Sequence, residues 1–438
     1  MTSILTVTAQ DIIEDALLTA GIIPINQSIP AETHVQAKKR LNYILKNLQA
    51  QGHHLWTKTE GVVFLDKDTQ KYNLGVGGDH STTSFISTTT TVAAVSTAVT
   101  IALVTTGMTG AADMLSDPTD STQDWTAAVG ATLASSGGIL TVTNGAATAG
   151  TAAFTLTTVV GEKYIVNFSY TKGTAVGAVF EILDDTAVTV LDTLTLTATD
   201  TTNVLTFTAT QLTHTFKATN SSAVSGETFK FEDLTQKDTN SGDFIGIELD
   251  DGTRQWSNIV TVDSAAQVTI NDALTDDVAI GRRVFTYTTK IDRPQRIIDG
   301  RSMRTTSNTE LLLNIYCRQE YFEQSDKTTT GMVNNYYYSP QLNTGELYVW
   351  PTSDNVNQYL KITYIRPIDI VVNNADAVDI PAEWALALTF TLAASLLPGF
   401  KIDAPRQAIL DAEADRYMYS ALDYDHEFAS MIVSLDDE

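Results

Sequence analysis

Residues 163–183 read KYIVNFSYTKGTAVGAVFEIL, and this stretch decides the reading of the chain's middle. Tyr164, Phe168 and Tyr170 fall at even spacing, so in an extended strand they share one face. Aromatic side chains are mostly buried, so that face is read as core in preference to an exposed platform for sugar rings. Gly173 and Gly177 interrupt the pattern and Ala178–Leu183 resumes it. The same signal recurs at Ile139–Val142, Ala153–Thr157, Thr193–Thr197, Val204–Thr208, Thr213–Ala218 and Thr228–Leu234. Short strands at regular intervals, with Gly and Asn at the breaks, predict a β-sandwich, plausibly a jelly roll.

This tract lies in a longer one, residues 42–253, that contains no arginine. Every arginine is either Arg40 or lies between Arg254 and Arg416. Polar linkers at Ser116–Thr122 and Asp238–Gly242 bound the sandwich at 119–236. Outside them, Phe244–Leu249 and Arg254–Val262 flank Asp250-Asp251-Gly252, a hairpin signal. Val268–Ile270 and Arg283–Thr288 follow, with Thr91–Val104 as their expected partner. A small β domain at 79–118 and 237–290 is therefore expected, carrying the sandwich as an insertion.

The outermost segments, 1–78 and 291–425, read as one α+β host domain. Thr8 and Asp11 resemble a capping box. Ile12, Ile13, Ala16, Leu17 and Ala20 then form a helical stripe that Gly21 stops. Pro30 suits the start of a second helix whose buried stripe is Val35, Leu41, Ile44, Leu45 and Leu48. Val62–Leu65, Lys71–Leu74, Leu311–Tyr316, Val333–Ser339, Leu347–Val349 and Leu360–Ile365 read as strands, with a turn at Asn343-Thr344-Gly345. Pro381 opens an apolar helix through Trp384, Leu388, Leu392 and Leu396. It is read as too short for a membrane span, which needs about 20 residues. A last helix covers 404–422. The tail, 426–438, mixes acids with Phe428, Met431 and Ile432 and is a candidate partner contact.

The net charge is −25. That argues against gripping nucleic acid through its phosphates, which needs a basic surface. The start of the chain carries no basic run of the kind that precedes a secretory signal, so none is expected. The lone cysteine, Cys317, lies in the strand-like run LLLNIYCRQEYF and is expected to be buried and inert. His53-His54 is read as a capping or surface pair, because one ion needs more ligands at workable spacing. Asp184-Asp185, Asp250-Asp251 and Asp276-Asp277 are read as turn residues. The alternatives for them are calcium near Asp184, Asp185 or Asp233 and glycoside cleavage. No phosphate loop, nucleophile elbow or zinc motif is present. No catalysis, cofactor or metal is expected. Arg282, Arg283, Arg293, Arg296, Arg301 and Arg304 crowd into one stretch of an acidic chain. They are read as pairing with carboxylates of a neighbouring subunit, with DNA contact as the alternative.

The two ends together resemble the head-to-tail adaptor (connector) proteins of tailed phages. The resemblance rests on LNYILKNLQAQGHHLWTKTEGVVFLDKDTQKYNL near the start and on RPQRIIDGR, YYYSPQLNTGELYVWPTSDNVNQYLKITYIRP and DIPAEWALALTFTLAASLL near the end. The order is a strand, G-x-L-x-x-W-P, a strand ending in R-P, then a P-x-E-W helix. GDFIGIELDDGTRQWSNIV is similar to a β domain found within such phage proteins, and 119–236 is similar in pattern to carbohydrate-binding-module jelly rolls. The resemblance implies a virion protein at the portal–tail junction, made in the host cytoplasm. It implies a ring, commonly a dodecamer, that sits below the portal protein and extends the DNA channel without specific DNA binding. The ring would receive the tail tube or nozzle, with the C-terminal tail reaching the portal. Two other readings stand beside it. The sandwich could bind a glycan or dock a tail fibre, or the protein could be a peptidoglycan hydrolase.

Overall fold

The computed structural model describes residues 7–425, apart from 25–26, 52–54, 92–99, 104, 129, 146–147, 306–308 and 401–403. The His53-His54 pair and the tail residues Phe428, Met431 and Ile432 therefore lie outside the described residues, as does part of Thr91–Val104. Strands dominate, with a few helices. By its internal contacts the chain divides into two units, 1–83 with 290–354 and 358–438, and 84–289 with 355–357.

The first unit is built from both ends of the chain. Helix α1 (Ala9–Ala20) begins at the Thr8–Asp11 capping box. The Thr8 hydroxyl accepts from the Asp11 amide at 3.2 Å, and the Asp11 carboxylate accepts from the Thr8 amide at 3.0 Å. Gly21 ends the helix at φ +70°, a left-handed conformation that costs a Cβ-bearing residue energy. Helix α2 (Ala31–Gln51) buries Ala37, Leu41, Leu45 and Leu48. Val35, expected in that stripe, is 57% exposed. Six residues before Leu41, it sits about 240° around the helix from it. Helix α3 (Arg318–Glu323) occupies a stretch expected to be strand. Cys317 is its N-cap and is exposed, because Tyr321 is the residue that turns inward.

Helix α4 (Ala385–Leu396) is the axis of the helical layer, and α1, α2 and α5 (Ala404–Tyr424) all pack on it. With short 3-10 turns at each end it forms a continuous apolar helix over Ala382–Phe400. At 19 residues this is longer than expected and long enough by composition to cross a membrane, but half of it is buried inside the fold. Its apolarity has a local cause, since Trp384, Leu388 and Leu392 sit in a core shared with Ile12, Leu17, Leu41 and Leu45.

Among the described residues two larger sheets, with a short parallel pair of Thr330–Gly331 and Thr352–Ser353, complete this unit. In the first, strand Lys58–Phe64 pairs antiparallel with Gln358–Ile365, Lys58 opposite Ile365 and Phe64 opposite Tyr359. Arg296–Arg304 flanks that pair on the other side. Sequence reading missed this last strand because a bulge between Ile297 and Asp299 breaks its alternation. The second sheet has the order 71–74, 345–350, 335–340, 314–315. Val63, Tyr72, Ile297, Tyr336, Leu347 and Leu360 belong to the core that the two sheets share.

The second unit holds two separate cores. One belongs to a six-stranded sheet in the order 86–89, 283–287, 244–248, 254–264, 267–270, 100–102. The expected hairpin about Asp250-Asp251-Gly252 is present, Phe244 opposite Asn258. Gln267–Ile270 pairs with Thr100–Ala102, within the expected partner segment. Arg283–Tyr287 pairs instead with Ile86–Thr89, just ahead of it. The other core lies between two five-stranded sheets, ordered 200–208, 163–171, 228–238, 139–143, 132–136 and 190–196, 178–183, 213–220, 151–157, 125–128. This is the predicted sandwich, with two strands, Trp125–Ala128 and Thr132–Ser136, beyond those the sequence signalled. Tyr164, Phe168 and Tyr170 are 0%, 2% and 1% exposed, and with Phe180, Phe216, Phe229 and Phe231 they fill the core.

Candidate functional site

The residues that carried the family resemblance meet where the two ends of the chain close on each other. Trp56, just ahead of the first host strand, packs edge-to-face on Trp384 at the start of the axial helix, ring centroids 4.8 Å apart. Arg366, where the last strand of the first sheet ends, pairs with Asp379 just before that helix. Its Nη2 donates to Asp379 Oδ1 at 2.7 Å and its Nη1 to Oδ2. Asp379 Oδ2 also accepts from the Asp369 amide at 3.0 Å. Burial alone would raise the Asp379 carboxyl, but the hydrogen bonds from Arg366 and Asp369 outweigh it and hold the group below the usual carboxylate range. A planar guanidinium gripping both carboxylate oxygens fixes angle as well as distance.

The segment between Arg366 and Asp379 is held by a polar stripe on α2. Asn42 donates to the Val371 carbonyl and accepts from its amide, both at 2.9 Å. Lys38 donates to Val372 O at 2.8 Å and Lys46 to Ile368 O at 2.6 Å. Positions 38, 42 and 46 recur every fourth residue and so lie along one face. Burial draws the Lys46 amine below its ordinary value. Sequence reading gave these residues no role, and the every-fourth polar spacing was the available signal.

The G-x-L-x-x-W-P stretch has its own packing logic. Gly345 lies under the ring of Tyr338, whose hydroxyl donates to the Pro294 carbonyl, and a Cβ at Gly345 would overlap that ring. Burial pushes the Tyr338 phenol well above its ordinary value. Trp350 Nε1 donates to Asp326 O at 2.8 Å, and the Trp350–Pro351 peptide is cis.

The arginine group does not come together in space as it does in sequence. Arg282 and Arg283 belong to one unit, and Arg293, Arg296, Arg301 and Arg304 to the other. Three are committed within the chain. Arg282 pairs with Asp250 at 2.7 Å and Glu248 at 3.2 Å, Arg304 with Asp354 at 2.9 Å, and Arg301 with Glu310 at 3.6 Å. The Arg283 amide donates to Glu248 at 3.2 Å, and Arg293 donates to the Gln341 carbonyl at 3.0 Å. Arg296 is exposed at the start of its strand.

The acidic doublets act in turns. Asp184 accepts from the Thr186 hydroxyl and from the Val188 and Thr189 amides, and hydrogen bonding from the Thr189 side chain first, then Val188 and Thr186, holds its carboxyl far below the usual range. Asp251 accepts from the Thr253 amide and hydroxyl. Among the described residues no three His, Cys, Asp or Glu side chains are grouped to hold a metal ion. On the sandwich, Asn167, Phe168, Ser169, Thr201, Thr202, Asn203 and Asp233 line an open groove of about 270 Å³.

No protein-family model matches the chain, and no curated protein matches it. Among solved structures the chain is similar to a CBM4 module, at 16% identity over 27% of this chain and 92% of that one, TM-score 0.22. It is also similar to the N-terminal cellulose-binding domain of Cellulomonas fimi β-1,4-glucanase C, at 18% over 29% and 97%, TM-score 0.23. A third likeness is to the enzymatically active domain of bacteriophage CBA120 tailspike protein 4, at 13% over 27% of this chain and 20% of that one, TM-score 0.22. At these scores nothing about fold or ligand rests on the likenesses. The sandwich is defined by its own strand order and core.

Proposed function

We propose that this chain is a structural adaptor of a tailed-phage virion. In this reading copies of the first unit assemble as a ring below the portal protein, continue the DNA channel and receive the tail, and no step is catalytic. One observation carries the reading. The two distant segments that resemble the adaptor family close into one unit, where Trp56 of the first packs on Trp384 of the second, while the Arg366–Asp379 pair braces the second segment itself. A ring of this kind uses unlike faces that close by rotation, so the insertion of a second unit between host strands need not disturb it. The acidic balance suits a wall that DNA passes without sticking. Mass measurement of the purified chain, alone and mixed with its portal protein, tests this. A closed oligomer is expected, and a strict monomer under both conditions overturns it.

A second reading concerns the sandwich alone. The groove at Asn167, Ser169 and Asp233 offers hydrogen-bond partners of the kind sugar hydroxyls take. Aromatic stacking is not its means, because the sandwich's Trp125, Tyr164, Phe168 and Tyr170 are all core residues. Affinity electrophoresis in host polysaccharide tests it, and migration unchanged from that in plain gel removes the glycan reading.

A further inference from the structure

A groove of about 490 Å³ lies between α1 and α4, and its lining includes Asp11, Asp15, Leu18, Leu386 and Phe390. α1 carries Asp11, Glu14 and Asp15 and no base. Asp11 is held by its capping box, whereas Asp15 is exposed and makes no hydrogen bond or ion pair among the described residues. Beside it Leu18 and Leu386, 40% and 48% exposed, are apolar surface open to water. Arg406 donates to the Thr19 carbonyl at 3.3 Å, at the end of the groove away from Asp11. α2 has the opposite character. From Thr33 to Gln51 it carries Lys38, Lys39, Arg40 and Lys46 and no acid. Lys38 and Lys46 are committed to the carbonyls of Val372 and Ile368. Arg40 shares a hollow with Asp411 and Asp415 of α5, which leaves exposed Lys39 as the base of the outer face. Val35, Lys39 and Tyr43 recur every fourth residue and so form one ridge about 12 Å long. Val35 and Tyr43 are each 57% exposed.

We infer that the α2 ridge of one copy seats in the α1–α4 groove of a second copy, with Lys39 against Asp15 and with Val35 and Tyr43 covering Leu18 and Leu386. This rests on the ring reading and names the surfaces that join the ring. Three observations converge on it. Charge is complementary, since an acid without a partner lines the groove and a base without a carboxylate partner among the described residues crowns the ridge. Size fits, because Asp11 to Leu18 rises about 10.5 Å along α1, close to the length of the ridge, and rows of every fourth residue are what pack into the grooves of a neighbouring helix. Direction fits as well. Leu386 and Thr389 line the groove, whereas Thr391 and Ser395 line the hollow beside α2, about half a turn round α4. The two surfaces therefore look away from each other, and one chain does not join them itself. Joined between chains they make a head-to-tail contact, the kind that closes into a ring.

Charge reversal tests the seat in the full-length protein, with mass read by light scattering at low salt, where ion pairs are least screened. Lys39→Asp sets two carboxylates against each other across the contact, and Asp15→Lys sets two amines. Each variant is expected to weaken association by about tenfold or more. Mixing the two variants puts opposite charges at every contact and is expected to return the wild-type mass, a rescue that a folding defect would not allow. Wild-type mass in both single variants, or a mixture that stays dissociated, overturns the inference and leaves the ring reading standing. A wild-type chain that is monomeric by itself overturns the inference too. Only a chain that stays monomeric with its portal protein removes the ring reading along with it.

Discussion

Replacing Phe180 by alanine separates the two units by their stability. Phe180 is fully buried at the centre of the sandwich. Its ring centroid lies 4.4 Å from that of Phe168, 5.5 Å from Tyr170, 5.8 Å from Phe231 and 6.0 Å from Phe216. Truncating a buried phenylalanine costs about 3–5 kcal/mol, from lost transfer energy and the cavity left behind. The aromatic pairs, each worth about 0.5–1.5 kcal/mol beyond area, place Phe180→Ala towards the upper end. For a domain of about 110 residues each kcal/mol moves the melting temperature by roughly 4 °C, so the sandwich transition falls by about 15–20 °C. The helical layer has a core with no residue in common with that of the sandwich, so its transition stays in place. Scanning calorimetry of the full chain reads both, with near-ultraviolet dichroism reporting aromatic packing. If both transitions move together by similar amounts, the nested, independently cored architecture is refuted. Phe180→Leu keeps most of the volume and gives a smaller shift in the same transition.

Four other outcomes follow from named contacts. Asp379→Asn breaks the grip of Arg366 and costs about 2 kcal/mol in urea denaturation at neutral pH, as for a hydrogen bond to a charged group. Because the folded-state Asp379 carboxyl is held below its unfolded value, its contribution is fully present above about pH 4 and is lost as pH falls through the folded value. The wild-type and Asp379→Asn stabilities should therefore converge in acid, and a constant difference down to the lowest pH argues against the linkage. Thr8→Ala removes the α1 cap and costs about 1 kcal/mol, read as a shift in the helical-layer transition. Gly345→Ala puts a methyl group into the ring of Tyr338 and destabilises the first unit by about 1–3 kcal/mol, whereas Gly137→Ala, with open space about it, lacks that overlap and meets only the left-handed backbone cost. Cys317 is exposed, so a thiol reagent should label it in the native protein without denaturant, and labelling that needs denaturant contradicts its placement at the α3 N-cap.

Much of this fold is written in local pattern. The alternation at Lys163–Tyr170 and the spacing of Ile12, Ile13, Ala16 and Leu17 each identify an element and its buried face, because one side of a strand or helix must leave water. Turn chemistry is local too, so the hairpin at Asp250-Asp251-Gly252 and the capping box at Thr8 could be read directly. What defeats local reading is any interruption of period or any dependence on a distant partner. The bulge at Ile297 hid the strand Arg296–Arg304, and a capping box that only Glu320 completes turned Cys317 from an expected core thiol into an exposed cap. The crowded arginines show the same limit. Neighbours in sequence, they are parted between two units and mostly committed to carboxylates or carbonyls that no spacing rule could have assigned. By itself the sequence determined the strongly periodic helices and strands, most of their apolar faces, and that the ends belong together. Only the tertiary structure decided that Trp56 meets Trp384, that Arg366 grips Asp379, and that Asn42 holds Val371 from 329 positions away. Such contacts depend on the mutual placement of packed elements, and that placement is set by the filling of shared cores, which no single stretch of sequence contains.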